Sequence, residues 1–154
     1  MWQETVITSD VLIIGGGIAG CMAAMAARAA GVRVTVVDKG YAGSSGASIH
    51  PDIGMVVFRP DWGGDYQTCL RAMGEAGGWI SNRPWCEAIL HESGEVYQDM
   101  LDWGIEFPQE DARYRMYFPP IPHVRLKHRK LAPGLRRQAQ RNGVQFYDRV
   151  EMID

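Results

Sequence analysis

The stretch "SDVLIIGGGIAGCMAAMAARAAGVRVTVVDKG", residues 9 to 40, restricts the fold of this chain more than any other. An apolar run, Val11-Leu12-Ile13-Ile14, breaks on three consecutive glycines, Gly15 to Gly17. A short continuous apolar run reads as a strand covered on both faces, as in a parallel sheet. Ile18 to Ala30 is rich in alanine, a strong helix former, and Gly31 stands where a helix C-terminus is closed. Val32 to Val37 ends in "VTVV", a second strand. Strand, tight turn, helix and strand within about 30 residues make one βαβ unit and predict an α/β fold.

A membrane segment is the competing reading of the same residues. The uncharged run from Val11 to Ala27 falls short of the roughly 20 apolar residues a span needs, and it contains four glycines. Asp10 and Glu4 precede it, and no Lys or Arg occurs before Arg28, so it lacks the positive start of a signal peptide. No membrane span is expected. The 154 residues suffice for one core, and a net charge of −2 suggests neither nucleic acid nor a lipid surface. Cys21, Cys69 and Cys86 are odd in number and widely spaced, which argues against a disulfide framework and for a reducing, cytoplasmic setting.

The glycines at 15, 17 and 20 spell G-x-G-x-x-G. In a βαβ unit, Gly15 permits the sharp turn out of the strand. Gly17 leaves room for a pyrophosphate against the backbone, and Gly20 lets the helix pack closely. The helix N-terminus, from Ile18 and Ala19, offers free N–H groups and partial positive charge to phosphate. Asp38 ends the second strand, where a carboxylate accepts from a ribose 2′-OH. Dinucleotide binding follows from the whole context rather than from the glycines alone. After Asp38 and Lys39 comes "GYAGSSGASIHPDIGM", which has no helical periodicity and reads as a long polar loop, about 40 to 58, returning over the ligand. Its Ser45, Gly46, Ala47 and Ser48 are candidate ligands for phosphate or ribitol oxygens.

The stretch from Asp10 to Gly40, followed by "SGAS", resembles the start of the flavoprotein family of succinate dehydrogenase, fumarate reductase, L-aspartate oxidase and adenylylsulfate reductase. "ISNRPWCEAILHESGEVYQDMLDWGIEF" is similar to that family's helical segment, and "LAPGLRRQAQRNGVQFYDRVEMID" to the helix and strand that rejoin its nucleotide domain. The resemblance implies a Rossmann-like FAD-binding domain with a helical excursion over about 60–120 and a return over about 130–154. It implies FAD as cofactor, hydride transfer between a small substrate, such as a dicarboxylate, and flavin N5, and an iron–sulfur subunit or further flavoprotein polypeptide as partner. Members with covalent flavin carry a His after the loop serine. Aligned on Ser45, this chain has Gly46 there, so non-covalent FAD is expected. The family's capping domain has no counterpart before Asp154, so the chain is expected to be the front portion of such an enzyme, inactive alone. A nicotinamide-binding module and a non-catalytic remnant of the fold are the alternatives.

Downstream, Tyr66 to Ala76 suits a helix, and Pro84 suits a first helical turn. Ile89, Ser93, Val96, Met100 and Trp103 follow helical spacing, with Ser93-Gly94 expected to kink or break it. Every charge from Glu87 to Asp111 is negative and every charge from Arg125 to Arg141 positive, which reads as two solvated faces that pair weakly. "FPPIPH", 118 to 123, reads as an extended connector. The four histidines lack metal spacing, and no metal site is expected.

Overall fold

The computed structural model describes residues 5–49, 54–62, 64–107, 123–125 and 128–153. It divides into two compact units, one of residues 1–50 and 129–154, the other of residues 51–128.

The first unit is an α/β layer. Strand β1 (Val11–Ile14) leads through the glycine turn into helix α1 (Ile18–Ala29) and strand β2 (Val34–Asp38). Helix α4 (His128–Arg141) and strand β5 (Gln145–Asp148) complete it. The three strands form a parallel sheet in the order β1-β2-β5, with Val11 opposite Val34 and Val36 opposite Phe146. Ala30 caps α1, and Gly31 beyond it adopts φ +84°, the left-handed conformation that closes a helix. Cys21, Ala24 and Met25 of α1, Leu131, Ala132, Leu135 and Ala139 of α4 and all of β2 are buried.

Among the described strands β2 lies between β1 and β5 and is buried along its whole length. Leu12 and Ile14 are 50% and 67% exposed, so one face of β1 is open. The run "VLII" is apolar on both faces, but only the alternate residues Val11 and Ile13 are partly covered.

The second unit holds helices α2 (Tyr66–Ala76) and α3 (Arg83–Asp102) and an antiparallel pair, β3 (Gly54–Val56) with β4 (His123–Arg125). Segment 40–58, read from sequence as a loop, thus contains β3, as well as a 3₁₀ turn at Ala47–Ile49. Asp65 and Asn82 cap the two helices by accepting from Thr68 N–H and Trp85 N–H. Cys69, Leu70, Cys86 and Leu90 form the core between them. Helix α3 runs unbroken through Ser93-Gly94, contrary to expectation. The pair instead serves close approach. Ser93 Oγ accepts from Phe58 N–H at 2.9 Å, and a methyl placed on Gly94 would stand 2.7 Å from the Phe58 carbonyl oxygen. Of the connector 118–123, only His123 lies among the described residues, in β4.

Candidate functional site

The glycine turn is built from two different kinds of glycine. Gly15 has φ +98°, which a side chain rarely tolerates, so it makes the turn out of β1. A methyl on Gly20 would run into the Gly15 carbonyl, so this glycine lets α1 close on the strand. A methyl on Gly17 would meet nothing within 4 Å. Open space therefore lies beside the turn where a ligand would approach the backbone. Gly17 also caps α1 without any side-chain acceptor, and the first turn of α1 holds no acidic residue, whereas α2 and α3 are capped by side chains. The start of α1 thus offers N–H donors and partial positive charge with no side-chain acceptor of its own in the cap.

Gly16, which the motif leaves as an x, does more structural work than the sequence suggests. Its N–H donates to Asp38 Oδ2 at 2.7 Å, and its carbonyl accepts from Gly43 N–H at 2.7 Å. A methyl there would overlap the Ala42 side chain. The turn is thereby fastened both to the end of β2 and to the segment that follows it.

Asp38 is the hinge of this arrangement and is only 8% exposed. Oδ2 accepts from Gly16 N–H, and Oδ1 accepts from Gly40 N–H at 2.8 Å and from Ser45 Oγ at 2.9 Å. Burial alone would raise its pKa, but these donors and the Lys39 charge outweigh burial and hold the carboxyl below the usual range. Oδ2 keeps one lone pair that a ribose hydroxyl could use.

The structure gathers Gly15, Gly17, Gly20, Asp38 and Ser45 around one turn. Ser45 Oγ also lies 3.0 Å from the Tyr41 carbonyl, and Gly46 turns the chain with φ +89°. Ala19 and Lys39 are exposed, Ile18 is half-buried, and Ala47 and Ser48 sit in the 3₁₀ turn. His50, the first histidine after Ser45 in this loop, lies outside the described residues.

Sequence reasoning missed Gly16, Ala42, Arg136 and Asp148. Arg136 binds Asp148 through Nη2–Oδ2 at 2.7 Å and the Ala42 carbonyl through Nη1 at 2.8 Å. It belongs to the basic stretch expected to pair with the acidic one, yet its partner is in β5. Burial pushes the Asp148 pKa up, but Arg136 and the Ala42 N–H more than reverse that, leaving it lowered. The triple glycine is the only sequence signal for any of these.

Two concavities lie in the second unit. One of about 370 Å³ is lined by Arg71, Trp79 and Arg83 among others, and one of about 440 Å³ by Arg59, His91 and Gln98 among others. Neither is lined by a residue of the glycine turn. Among the described residues no group of His, Cys, Asp and Glu could hold a metal, and no helix is long and apolar enough to cross a membrane.

The model of a protein family described as "FAD binding domain" matches residues 10–153. No curated protein matches the sequence. Among solved structures the chain is similar to a FrdA mutant of Escherichia coli quinol fumarate reductase, with a TM-score of 0.80 at 17% identity over 92% of this chain and 26% of that one. It is similar to the Mycobacterium smegmatis Sdh1 complex, with a TM-score of 0.76 at 17% identity over 92% and 27%. It is also similar to a Rhodococcus jostii 3-ketosteroid dehydrogenase, with a TM-score of 0.70 at 19% identity over 90% and 37%. At these identities the likeness is one of fold, and the chain spans about a quarter of the first two.

Proposed function

The chain belongs to the FAD binding domain family, and from that premise we propose that it is the nucleotide-holding part of a flavoprotein oxidoreductase. The observation that carries the assignment of roles is the uncapped start of α1 beside the open face of Gly17. The N–H groups of Ile18, Ala19 and Gly20 would hold the pyrophosphate there, and the free lone pair of Asp38 a ribose hydroxyl. Ser45, Gly46, Ala47 and Ser48 would line the flavin side. Bound flavin supplies hydride chemistry at N5, and the protein supplies binding, orientation and electrostatics.

The substrate reading rests on the fold shared with fumarate reductase and Sdh1, which favours a small dicarboxylate and an electron-transfer partner. The steroid dehydrogenase shares the same fold, so the cofactor reading is independent of the substrate reading. Attachment is read as non-covalent, since Gly46 offers no side chain to a flavin.

The experiment is a titration of the purified chain with FAD and with NAD, followed by flavin fluorescence and calorimetry. The chain spans about a quarter of the fumarate reductase and Sdh1 chains, so FAD is expected to bind weakly but saturably and NAD not at all. Binding of NAD in preference to FAD would favour the nicotinamide module, and binding of neither would favour the non-catalytic remnant.

A further inference from the structure

We propose that Arg136 and Asp148 are positioning residues for FAD: they grip Ala42 by both of its backbone polar groups and hold the 41–46 segment on the glycine turn before the cofactor arrives. The proposal rests on the FAD reading above.

Three contacts close the grip. Ala42 N–H donates to Asp148 Oδ1 at 2.8 Å, its carbonyl accepts from Arg136 Nη1 at 2.8 Å, and Arg136 Nη2 joins Asp148 Oδ2 at 2.7 Å. Both ion-pair side chains are largely shielded, 22% and 21% exposed, and the guanidinium lies 5.2 Å from the centre of the Phe146 ring. A shielded, forked guanidinium–carboxylate pair is worth more than an exposed one and fixes direction as well as distance. One residue on, Gly43 N–H donates to the Gly16 carbonyl. Gly43 has φ +75°, and a methyl on it would stand 2.9 Å from the Ala132 carbonyl oxygen, so only glycine lets the chain pass this close to α4. Residues 94 and 106 positions downstream of Ala42 therefore set where the loop meets the turn.

The loop needs such help. Residues 40–46, "GYAGSSG", bury only Ala42 and Gly43 fully and carry three glycines. Ordering such a segment costs conformational entropy, and a ligand that must order it binds more weakly. The grip shifts that ordering from FAD binding to folding. When it is cut, the fraction of chains with a formed cradle falls, and the apparent dissociation constant rises by the reciprocal of that fraction.

The test compares Arg136→Met, Asp148→Ala, their double variant and Arg136→Lys with the wild-type chain. Arg28→Ala is the control. It cuts two hydrogen bonds in the same unit, to the Val32 and Asn142 carbonyls, and touches neither Ala42 nor Gly43. Two quantities are read, amide hydrogen exchange of Ala42 and Gly43 in the FAD-free chain and the FAD dissociation constant. The grip variants are expected to exchange about tenfold faster and bind FAD about tenfold more weakly, with the double variant no worse than either single one. Arg136→Lys, which keeps charge but not the fork, should fall between. Arg28→Ala should lower the melting temperature and leave both readouts unchanged. Wild-type exchange and affinity in a folded Arg136→Met, or in Arg136→Lys if the methionine variant does not fold, would overturn the proposal. Equal losses in Arg28→Ala would overturn it too. Wild-type chain that binds no FAD would overturn the FAD reading itself, whereas failure of the grip alone appears as FAD binding that every variant retains.

Discussion

Adding one methyl at Gly16 and one at Gly17 should have opposite effects, although the residues are neighbours. At Gly16 the methyl overlaps Ala42 Cβ and stands 2.9 Å from Ala42 Cα and 3.4 Å from Asp38 Oδ2. Ala42 is held from behind by Arg136 and Asp148, so it cannot retreat freely. Relief must come from the turn, which then loses the Gly43-to-Gly16 bond and the Gly16-to-Asp38 bond, both 2.7 Å. The first is a neutral hydrogen bond worth about 1 kcal/mol and the second a charge-assisted one worth about 2 kcal/mol. Gly16→Ala should therefore destabilise the FAD-free chain by about 3 kcal/mol. At Gly17 the methyl meets nothing, and φ −75° suits alanine. Alanine is a poorer N-cap than glycine, but it also restricts the unfolded chain, and the two effects nearly cancel to within about 1 kcal/mol. The same methyl should stand in the pyrophosphate space and weaken FAD at least about tenfold, or 1.4 kcal/mol. Urea unfolding followed by circular dichroism reads stability, and flavin fluorescence titration reads affinity. If Gly17→Ala loses as much stability as Gly16→Ala, or keeps its FAD affinity, the division into a structural and a ligand-facing glycine is wrong.

Gly94→Ala tests the reading of α3 by its sign: an ordinary helix glycine would gain about 1 kcal/mol from alanine, but crowding of the Phe58 carbonyl should destabilise the chain by about 1–3 kcal/mol in urea unfolding. Asp38 and Asp148 both have folded pKa values below their ordinary ones, so the folded chain binds fewer protons, and their stabilisation is full above about pH 4 and lost as pH falls through the folded values. Asp148→Asn should flatten the acid limb of a stability–pH curve, and an unchanged limb would show that the pair is not coupled to folding. Acid precipitation of the FAD-loaded chain should release all the flavin into the supernatant, and fluorescence that stays with the polypeptide on a denaturing gel would contradict non-covalent attachment.

The βαβ start was legible because every local signal agreed: the apolar run, the glycines, the alanine-rich helix and the closing Gly31 each specify one conformation. Family membership was legible for the same reason. What the sequence concealed depends on contacts between distant residues. Nothing local marks Arg136 as the partner of Asp148, or Ala42 as the residue they share, because the grip exists only once α4 and β5 have docked. Ser93-Gly94 reads as a helix breaker by propensity, but tertiary approach of Phe58 uses the same small residues without breaking the helix. Exposure of Leu12 and Ile14 accords with an apolar run built for cover on both faces of which α1 supplies only one. Asp38 was placed correctly at the end of β2, but its bonds to Gly16, Gly40 and Ser45 were not foreseen.

The start of α1 and the Gly17 face are proposed to receive the pyrophosphate of FAD. Amide chemical shifts of the isotope-labelled chain, recorded as FAD is added, test it residue by residue. The account predicts the largest shifts at Gly17, Ile18, Ala19 and Gly20, with Ser45 and Gly46 following and the amides of α2 and α3 unmoved. Saturable FAD binding that shifts the amides around Arg71, Trp79 and Arg83 and leaves the glycine turn unchanged would contradict it.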